Sequence, residues 1–105
     1  MNALRMSNQW GWGLVFELPT HDTTLIVGRH GNGSTKADIE VKTRTASRIH
    51  AVITVDGGGV RIRDANSRNG TFVNSQKMRP ETDRLLRNGD QIKVGDDYIL
   101  FQSKK

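Results

Sequence analysis

The chain of 105 residues contains no cysteine, which excludes a disulfide framework, a thiol nucleophile and every zinc site built on cysteine. Aromatic residues are scarce, and no apolar run approaches the roughly 18 residues that a membrane-spanning helix needs. The first ten residues contain Arg5 but no apolar stretch behind it, so we expect no secretory signal. No stretch keeps its apolar residues on one helix face over several turns. We therefore expect a small intracellular, cytoplasmic domain without a membrane span.

What the sequence has instead is an apolar residue at every second position in several segments, a pattern typical of strands with one buried face. Turn residues such as Gly, Asn and Asp separate these segments, and many short strands divided by turns predict an all-β sandwich or barrel. Residues 56–59 lie between two alternating segments and predict a tight hairpin. The alternating residues are Trp12, Leu14, Phe16, Leu18, Ile49, Ala51, Ile53, Val55, Val60, Ile62, Ile92 and Val94.

The positive charge of the chain, +5 in total, is concentrated in two segments. Residues 29–50 carry five Lys or Arg against two carboxylates, and residues 61–87 carry seven against three. If the fold brings these segments together, they form a basic face, and the partner of that face should be anionic. Phosphate groups, nucleic acid and acidic peptides all meet this requirement.

Four short motifs follow one another along the chain: Gly28-Arg29, residues 47–50 (SRIH), residues 64–74 (DANSRNGTFVN) and residues 88–95 (NGDQIKVG). In order and spacing they resemble the forkhead-associated (FHA) domain family, and the resemblance covers residues 11–102. It implies a β-sandwich of about eleven strands whose loops at one end bind phosphothreonine peptides. Residues 1–10 would then be a loose N-terminal segment, and residues 103–105 a C-terminal tail.

Several side chains in these motifs are suited to binding a phosphorylated peptide. Arg29 follows an apolar strand at the point where a loop begins, and its guanidinium offers a rigid fork of donors that matches phosphate oxygens. The resemblance implies that Ser47 is a phosphate ligand, and Arg48 beside it adds positive charge. It also implies that the amide of Asn69, with two donors and one acceptor, holds the main chain of the peptide.

The other motif residues are expected either to contact ligand side chains that flank the phosphothreonine or to shape the binding loops. Arg68 is expected to meet acidic ligand side chains, and Thr45, like Arg68, is a candidate for selecting the residue three positions after the phosphothreonine. His50 can be drawn as the base of a triad with Ser47 and Asp64, but nothing in the spacing supports a nucleophile elbow or an oxyanion hole. The residues expected to shape or brace the loops are Gly28, His50, Asp64, Ser67, Gly70 and Thr71.

The sequence thus predicts a phosphothreonine-peptide recognition module of a larger signalling or scaffold protein, with no enzymatic activity, metal or cofactor. Its partner would be a phosphorylated protein or peptide rather than a membrane. A phosphate-independent docking domain stays open as an alternative, although the intact set of Arg29, Ser47 and Asn69 speaks against it. A nucleic-acid-binding domain is the weaker alternative. Five of the six aromatic residues lie in predicted strands and should be largely core, which leaves only Trp10 free for stacking on bases.

Overall fold

The computed structural model describes residues 2–8, 11–31 and 37–103, and within these residues the chain forms eleven strands and no helix. The prediction of an all-β fold of about eleven strands is therefore confirmed. None of the described residues forms a helix that is long and apolar enough to cross a membrane. The strands are β1 (Asn2–Asn8), β2 (Gly11–Glu17), β3 (Thr23–Arg29), β4 (Ile39–Val41), β5 (Ala51–Asp56), β6 (Gly59–Asp64), β7 (Thr71–Val73), β8 (Gln76–Lys77), β9 (Asp83–Leu85), β10 (Gln91–Val94) and β11 (Asp97–Ser103).

The strands form two sheets, one of six strands in the order β2-β1-β11-β10-β7-β8 and one of five in the order β4-β3-β5-β6-β9. The pair β3–β4 is parallel, and the other strand pairs are antiparallel. Strands β5 and β6 are joined by the predicted hairpin, in which Asp56 pairs with Gly59. This topology places the end of β3, the start of β5 and the end of β6 at the same end of the sandwich.

The alternating residues of β5, β6 and β10 are buried between the two sheets, as their period of two predicts. Burying one Val, Leu or Ile side chain contributes about 1.5–3 kcal/mol relative to leaving it exposed, so these side chains are a main source of the sandwich's stability. They belong to one core cluster with Leu4, Val27, Val73 and Ile99. The buried alternating residues are Ala51, Ile53, Val55, Val60, Ile62, Ile92 and Val94.

The same pattern fails in β2, where Leu14 is 81% exposed. In the pairing of β2 with β1, Val15 lies opposite Arg5 and Trp12 lies opposite Ser7, so Gly13 and Leu14 together face one residue. Such a bulge breaks the period of two and turns side chains to the other face. Because β2 is also the outermost strand of its sheet, the core does not extend over Leu14. The alternating residue Ile49 is exposed as well, because it precedes β5.

The aromatic side chains are less buried than the sequence predicts. Phe101 belongs to the core, but Tyr98 is 42% exposed, and Phe72 is half-buried. Both lie beside Lys93 in the register of their strands, and the Lys93 ammonium stands 5.6 Å from the centroid of the Phe72 ring. Trp10 and the side chain of Trp12 lie outside the described residues.

The N-terminal segment is not loose where the structure describes it, so that part of the domain prediction was wrong. Residues 2–8 form β1, which pairs with β2 on one side and β11 on the other. Leu4 is fully buried, and the backbone groups of β1 find partners in both neighbouring strands, which offsets the entropy lost on ordering the segment. At the other end, Ser103 completes β11, while residues 104–105 lie outside the described part of the chain.

Candidate functional site

Three segments meet at one end of the sandwich and enclose a cleft of about 290 Å³. They are the end of β3, the loop 42–50 between β4 and β5, and the loop 65–70 between β6 and β7. They converge because Val27 in β3 pairs with Ala51 at the start of β5, and Ala51 pairs in turn with Asp64 at the end of β6. The cleft is lined by Arg29, Arg44, Thr45, Ala46, Ser47, Arg68 and Asn69.

The cleft brings together five of the six residues that the sequence assigns to the ligand. The exception is Arg48, which does not line the cleft. Arg44 lines it, although sequence analysis did not assign it to the site. The only sequence signal for Arg44 was its place in the basic segment 29–50, because it lies between two motifs and belongs to neither.

Arg29 lines the cleft and is held there by contacts of both its backbone and its side chain. Its backbone N–H donates to the carbonyl oxygen of Ser47 at 3.1 Å. Its Nη1 lies 3.5 Å from the carbonyl oxygens of Arg44 and Ala46. Arg29 is half-buried, and these contacts hold its guanidinium beside the loop 42–50, which carries Ser47.

Two hydrogen bonds join the loops 42–50 and 65–70 across the cleft. The Oγ of Ser47 accepts a hydrogen bond from the backbone N–H of Arg68 at 2.9 Å, which leaves the hydroxyl hydrogen of Ser47 to donate elsewhere. The Nδ2 of Asn69 donates to the carbonyl oxygen of Thr45 at 2.8 Å, so one of its two amide hydrogens is used within the protein. The loops are therefore positioned without a ligand.

Gly28 allows the loop 42–50 to lie directly against β3. A Cβ atom at this position would stand 1.9 Å from the carbonyl oxygen of Arg48 and 2.9 Å from its carbonyl carbon. Two backbone hydrogen bonds hold the loop there, from Arg29 N–H to Ser47 at 3.1 Å and from His50 N–H to Val27 at 2.8 Å. Only glycine has room for this approach.

His50 is fully buried and bonds to both loops. Its Nδ1 accepts a hydrogen bond from the backbone N–H of Ser47 at 3.0 Å, so we assign the ring proton to Nε2. Nε2 lies 2.8 Å from the carbonyl oxygen of Gly70 and donates to it. Burial lowers the pKa of His50 below its usual value, although the Gly70 hydrogen bond and the charge of Asp64 oppose that shift. The imidazole thus acts as a neutral link between the loops.

Asp64, at the end of β6, organises the loop 65–70 from below. Its buried carboxylate accepts hydrogen bonds from the hydroxyl of Ser67 at 2.5 Å, from the hydroxyl of Thr71 at 2.7 Å and from the backbone N–H of Ser67 at 3.2 Å. Gly70 follows in this loop with a φ of +85°, which favours glycine. Since both ring nitrogens of His50 bond to backbone groups, Ser47, His50 and Asp64 do not form a catalytic triad.

The loop 42–50 has a further anchor that sequence analysis did not assign. The carboxylate of Asp97, in the first position of β11, accepts hydrogen bonds from the backbone N–H groups of Lys42 and Thr43 at 3.2 and 3.3 Å. Gly95, with a φ of +60°, lies so close that a Cβ atom would stand 2.7 Å from the backbone nitrogen of Ala46. The last residue of the fourth motif therefore helps to shape the loop that carries Ser47.

The site offers hydrogen-bond donors and positive charge but no metal centre within the described part of the chain. Residues 2–8, 11–31 and 37–103 contain no group of three or more His, Asp or Glu residues that could hold a metal ion. The cleft is lined by three guanidinium groups and no carboxylate. Such an arrangement favours an anion, and a guanidinium beside a hydroxyl is well matched to phosphate oxygens.

Comparison with known proteins identifies the family. The FHA domain family model matches residues 25–95. The chain belongs to the FHA domain family. It is 35% identical over 78 residues to the glycogen accumulation regulator GarA of Mycolicibacterium smegmatis, a match that covers 74% of this chain and 45% of that protein. The chain spans half or less of the length of the curated relatives that it matches first.

Solved FHA domains share the fold over nearly the whole chain. One structure, from a study of phosphothreonine-dependent FHA domain interactions, matches with a TM-score of 0.80 and 26% identity, covering 99% of this chain and 97% of the other. The FHA domain of the CT664 protein from Chlamydia trachomatis matches with a TM-score of 0.83 and 25% identity, covering 99% and 98% of the two chains. This chain thus shares its β-sandwich architecture with solved FHA domains.

Proposed function

We propose that this FHA domain binds phosphothreonine-containing peptides in the cleft at the end of the sandwich. One observation carries the proposal: Arg29, Ser47 and Asn69, which lie on three separate segments of the chain, line one cleft. The domain would act by recognition alone, as a non-catalytic module of a longer intracellular signalling or scaffold protein. Its partner would be a protein that carries a phosphorylated threonine.

In this proposal the phosphate binds between Arg29 and Ser47. The guanidinium of Arg29 donates to two phosphate oxygens, as its planar fork allows. The Oγ of Ser47 already accepts the N–H of Arg68, so its hydroxyl hydrogen is available for a third phosphate oxygen. Arg48 does not line the cleft, so we assign it no direct contact with the phosphate.

Asn69 would hold the main chain of the peptide. One amide hydrogen of Asn69 is bonded to Thr45, and the second hydrogen and the Oδ1 atom are suited to one peptide unit of the ligand. Because the Thr45 contact fixes the amide before the ligand arrives, little side-chain entropy is lost on binding. We propose that His50, Asp64, Ser67, Gly70 and Thr71 serve this site by keeping the loops in place.

The charge of the ligand also fits the cleft. A phosphothreonine carries about −1.5 to −2 charges at neutral pH, and the cleft lining offers only cationic charge. The relative solved in the study of phosphothreonine-dependent interactions supports phosphothreonine as the ligand. A phosphoserine would leave empty the space that the threonine methyl group occupies.

The test is a calorimetric titration with peptides selected from an oriented phosphothreonine library. The phosphorylated peptide should bind, and its unphosphorylated form should not. Arg29→Ala should weaken binding at least ten- to a hundredfold at an unchanged melting temperature, because a hydrogen bond to a charged group contributes about 1.5–3 kcal/mol. The matched control is Arg87→Ala, since Arg87 lies near Gly59 at the opposite end of the sandwich.

Three results would contradict the proposal. Equal binding of the phosphorylated and unphosphorylated peptides would identify a phosphate-independent docking domain. Binding of single-stranded DNA in place of the peptides would identify a nucleic-acid-binding domain. Unchanged binding by Arg29→Ala would mean that the phosphate site lies elsewhere on the chain.

A further inference from the structure

Two arginines of the cleft have no role in the phosphate site as described above. Arg44 and Arg68 both line the cleft, and both are exposed. Within residues 2–8, 11–31 and 37–103, neither side chain forms an ion pair or a hydrogen bond. Their guanidinium groups are therefore available to a ligand.

Backbone contacts place these arginines next to the two phosphate-binding side chains. The carbonyl oxygen of Arg44 lies 3.5 Å from Nη1 of Arg29, and the backbone N–H of Arg68 donates to Oγ of Ser47 at 2.9 Å. Arg44 belongs to the loop 42–50 and Arg68 to the loop 65–70. A phosphate held by Arg29 and Ser47 would thus have one further guanidinium on each of these loops.

The charges of the cleft exceed what one phosphate neutralises. Three guanidinium groups line the cleft without a carboxylate among them, and a phosphothreonine supplies at most two negative charges. The cationic groups repel one another until anions of the ligand balance them, and the interaction between exposed charges decays over about 8–10 Å at moderate salt. A second anionic group close to the phosphate would remove the remaining repulsion.

We infer that Arg44 and Arg68 select phosphothreonine peptides that carry a second anionic group close to the phosphothreonine. This inference rests on the proposed function. An extended peptide rises about 3.3 Å per residue. Side chains within about three residues on either side of the phosphothreonine therefore lie within the roughly 8–10 Å over which exposed charges interact. The second anion is an aspartate or glutamate side chain or a second phosphorylated residue, since both present oxygen atoms that a guanidinium binds.

The experiment compares three phosphothreonine peptides that differ only at the six flanking positions. In the first peptide these positions are neutral, in the second they include aspartates on both sides, and in the third they include one phosphoserine. Each peptide is titrated into the wild-type domain and into Arg44→Gln, Arg68→Gln and Arg87→Gln at 50 mM and 300 mM salt. Arg87→Gln removes the same charge at the opposite end of the sandwich and serves as the control.

The wild type should bind at least one of the anionic peptides about four- to twentyfold more tightly than the neutral one, because each exposed charge pair changes affinity about two- to fivefold. Arg44→Gln and Arg68→Gln should each reduce this preference, the higher salt should reduce it too, and Arg87→Gln should keep it. A preference for the aspartate peptide would identify carboxylates as the second anionic group. A preference for the phosphoserine peptide alone would identify a second phosphate.

Two outcomes would overturn the inference, and they differ in what else they overturn. If the wild type binds all three phosphorylated peptides equally, or if Arg87→Gln loses as much preference as Arg44→Gln and Arg68→Gln, the inference is wrong and the proposed function stands. If no phosphorylated peptide binds at all, the proposed function is wrong as well. Melting temperatures of the variants, measured alongside, exclude loss of folding as the cause of weaker binding.

Discussion

Replacing Gly28 by alanine should damage both the stability of the domain and its binding site, because β3 and the loop 42–50 leave no room for a side chain. The new Cβ atom would stand 1.9 Å from the carbonyl oxygen of Arg48, and real Cβ contacts do not fall below 3.0 Å. The carbonyl must therefore withdraw by about 1 Å. The loop segment 47–50 would have to move with it, against the hydrogen bonds that Ser47 and His50 make with β3.

The magnitude follows from the cost of overpacking. Inserting one methyl group into a rigid, well-packed contact costs about 1–3 kcal/mol, and for a domain of this size each kcal/mol lowers the melting temperature by about 4–8 °C. We therefore expect a decrease of about 5–20 °C. Under the proposed function, displacing Ser47 by about 1 Å should also break the hydrogen bond that it would donate to the phosphate, and should weaken phosphopeptide binding about tenfold or more.

Thermal unfolding and calorimetric titration of the same samples measure both effects. Gly57→Ala is the matched control, since a Cβ atom at Gly57 would meet nothing within 4 Å, and we expect it to unfold and bind as the wild type does. If Gly28→Ala melts within about 2 °C of the wild type and binds normally, the contact between β3 and the loop is not a constraint on this fold, and the reasoning fails.

Two further predictions concern the ligand and the pH dependence of stability. Phosphothreonine peptides should bind at least about fourfold more tightly than phosphoserine peptides, because a buried methyl group contributes about 0.8 kcal/mol; equal affinity in calorimetry would refute this. Because burial lowers the pKa of His50 below 6.5, the unfolded chain takes up a proton before the folded one does. The free energy of unfolding should therefore fall by up to about 1.4 kcal/mol per pH unit from pH 6.5 down to the lowered pKa. Denaturant unfolding between pH 7.5 and 5.5 tests this pH dependence. If the free energy of unfolding of His50→Gln falls with pH as steeply as that of the wild type, the prediction is wrong.

The buried residues could be predicted from the sequence in strands whose inner face is covered by the opposite sheet. They could not be predicted in the edge strand β2. Ile53 and Ile62 are buried and alternate with half-buried neighbours, because the second sheet packs over one face of their strands. Leu14 obeys the same sequence pattern, yet the bulge opposite β1 exposes it. The strand β1 gave no strong signal of its own, because its order depends on pairing with β11, which lies at the other end of the chain.

In the candidate site too, the residues in local motifs could be predicted, whereas a residue placed by contacts with distant parts of the chain could not. Arg29, Ser47 and Asn69 lie in the motifs that resemble those of FHA domains, and that resemblance predicts that they meet in one site. Arg44 lies outside the motifs, and its place in the cleft depends on the conformation of the loop 42–50. Asp97, which is 55 residues away from Lys42 along the chain, helps to hold that conformation, and no local motif indicates this distant contact.

The buried residues of the site bond to the loops, whereas its exposed residues line the cleft. His50 and Asp64 are almost wholly buried, and each bonds to a loop through backbone or hydroxyl groups. Arg44, Arg68 and Asn69 are exposed and present their side chains to the cleft. The buried pair holds the loops in place, and in the proposed function the exposed residues contact the ligand. Under the proposed function, substituting Arg44 or Arg68 should therefore change the ligand preference without loss of stability. Substituting Asn69 should also remove the hydrogen bond to Thr45 that joins the two loops.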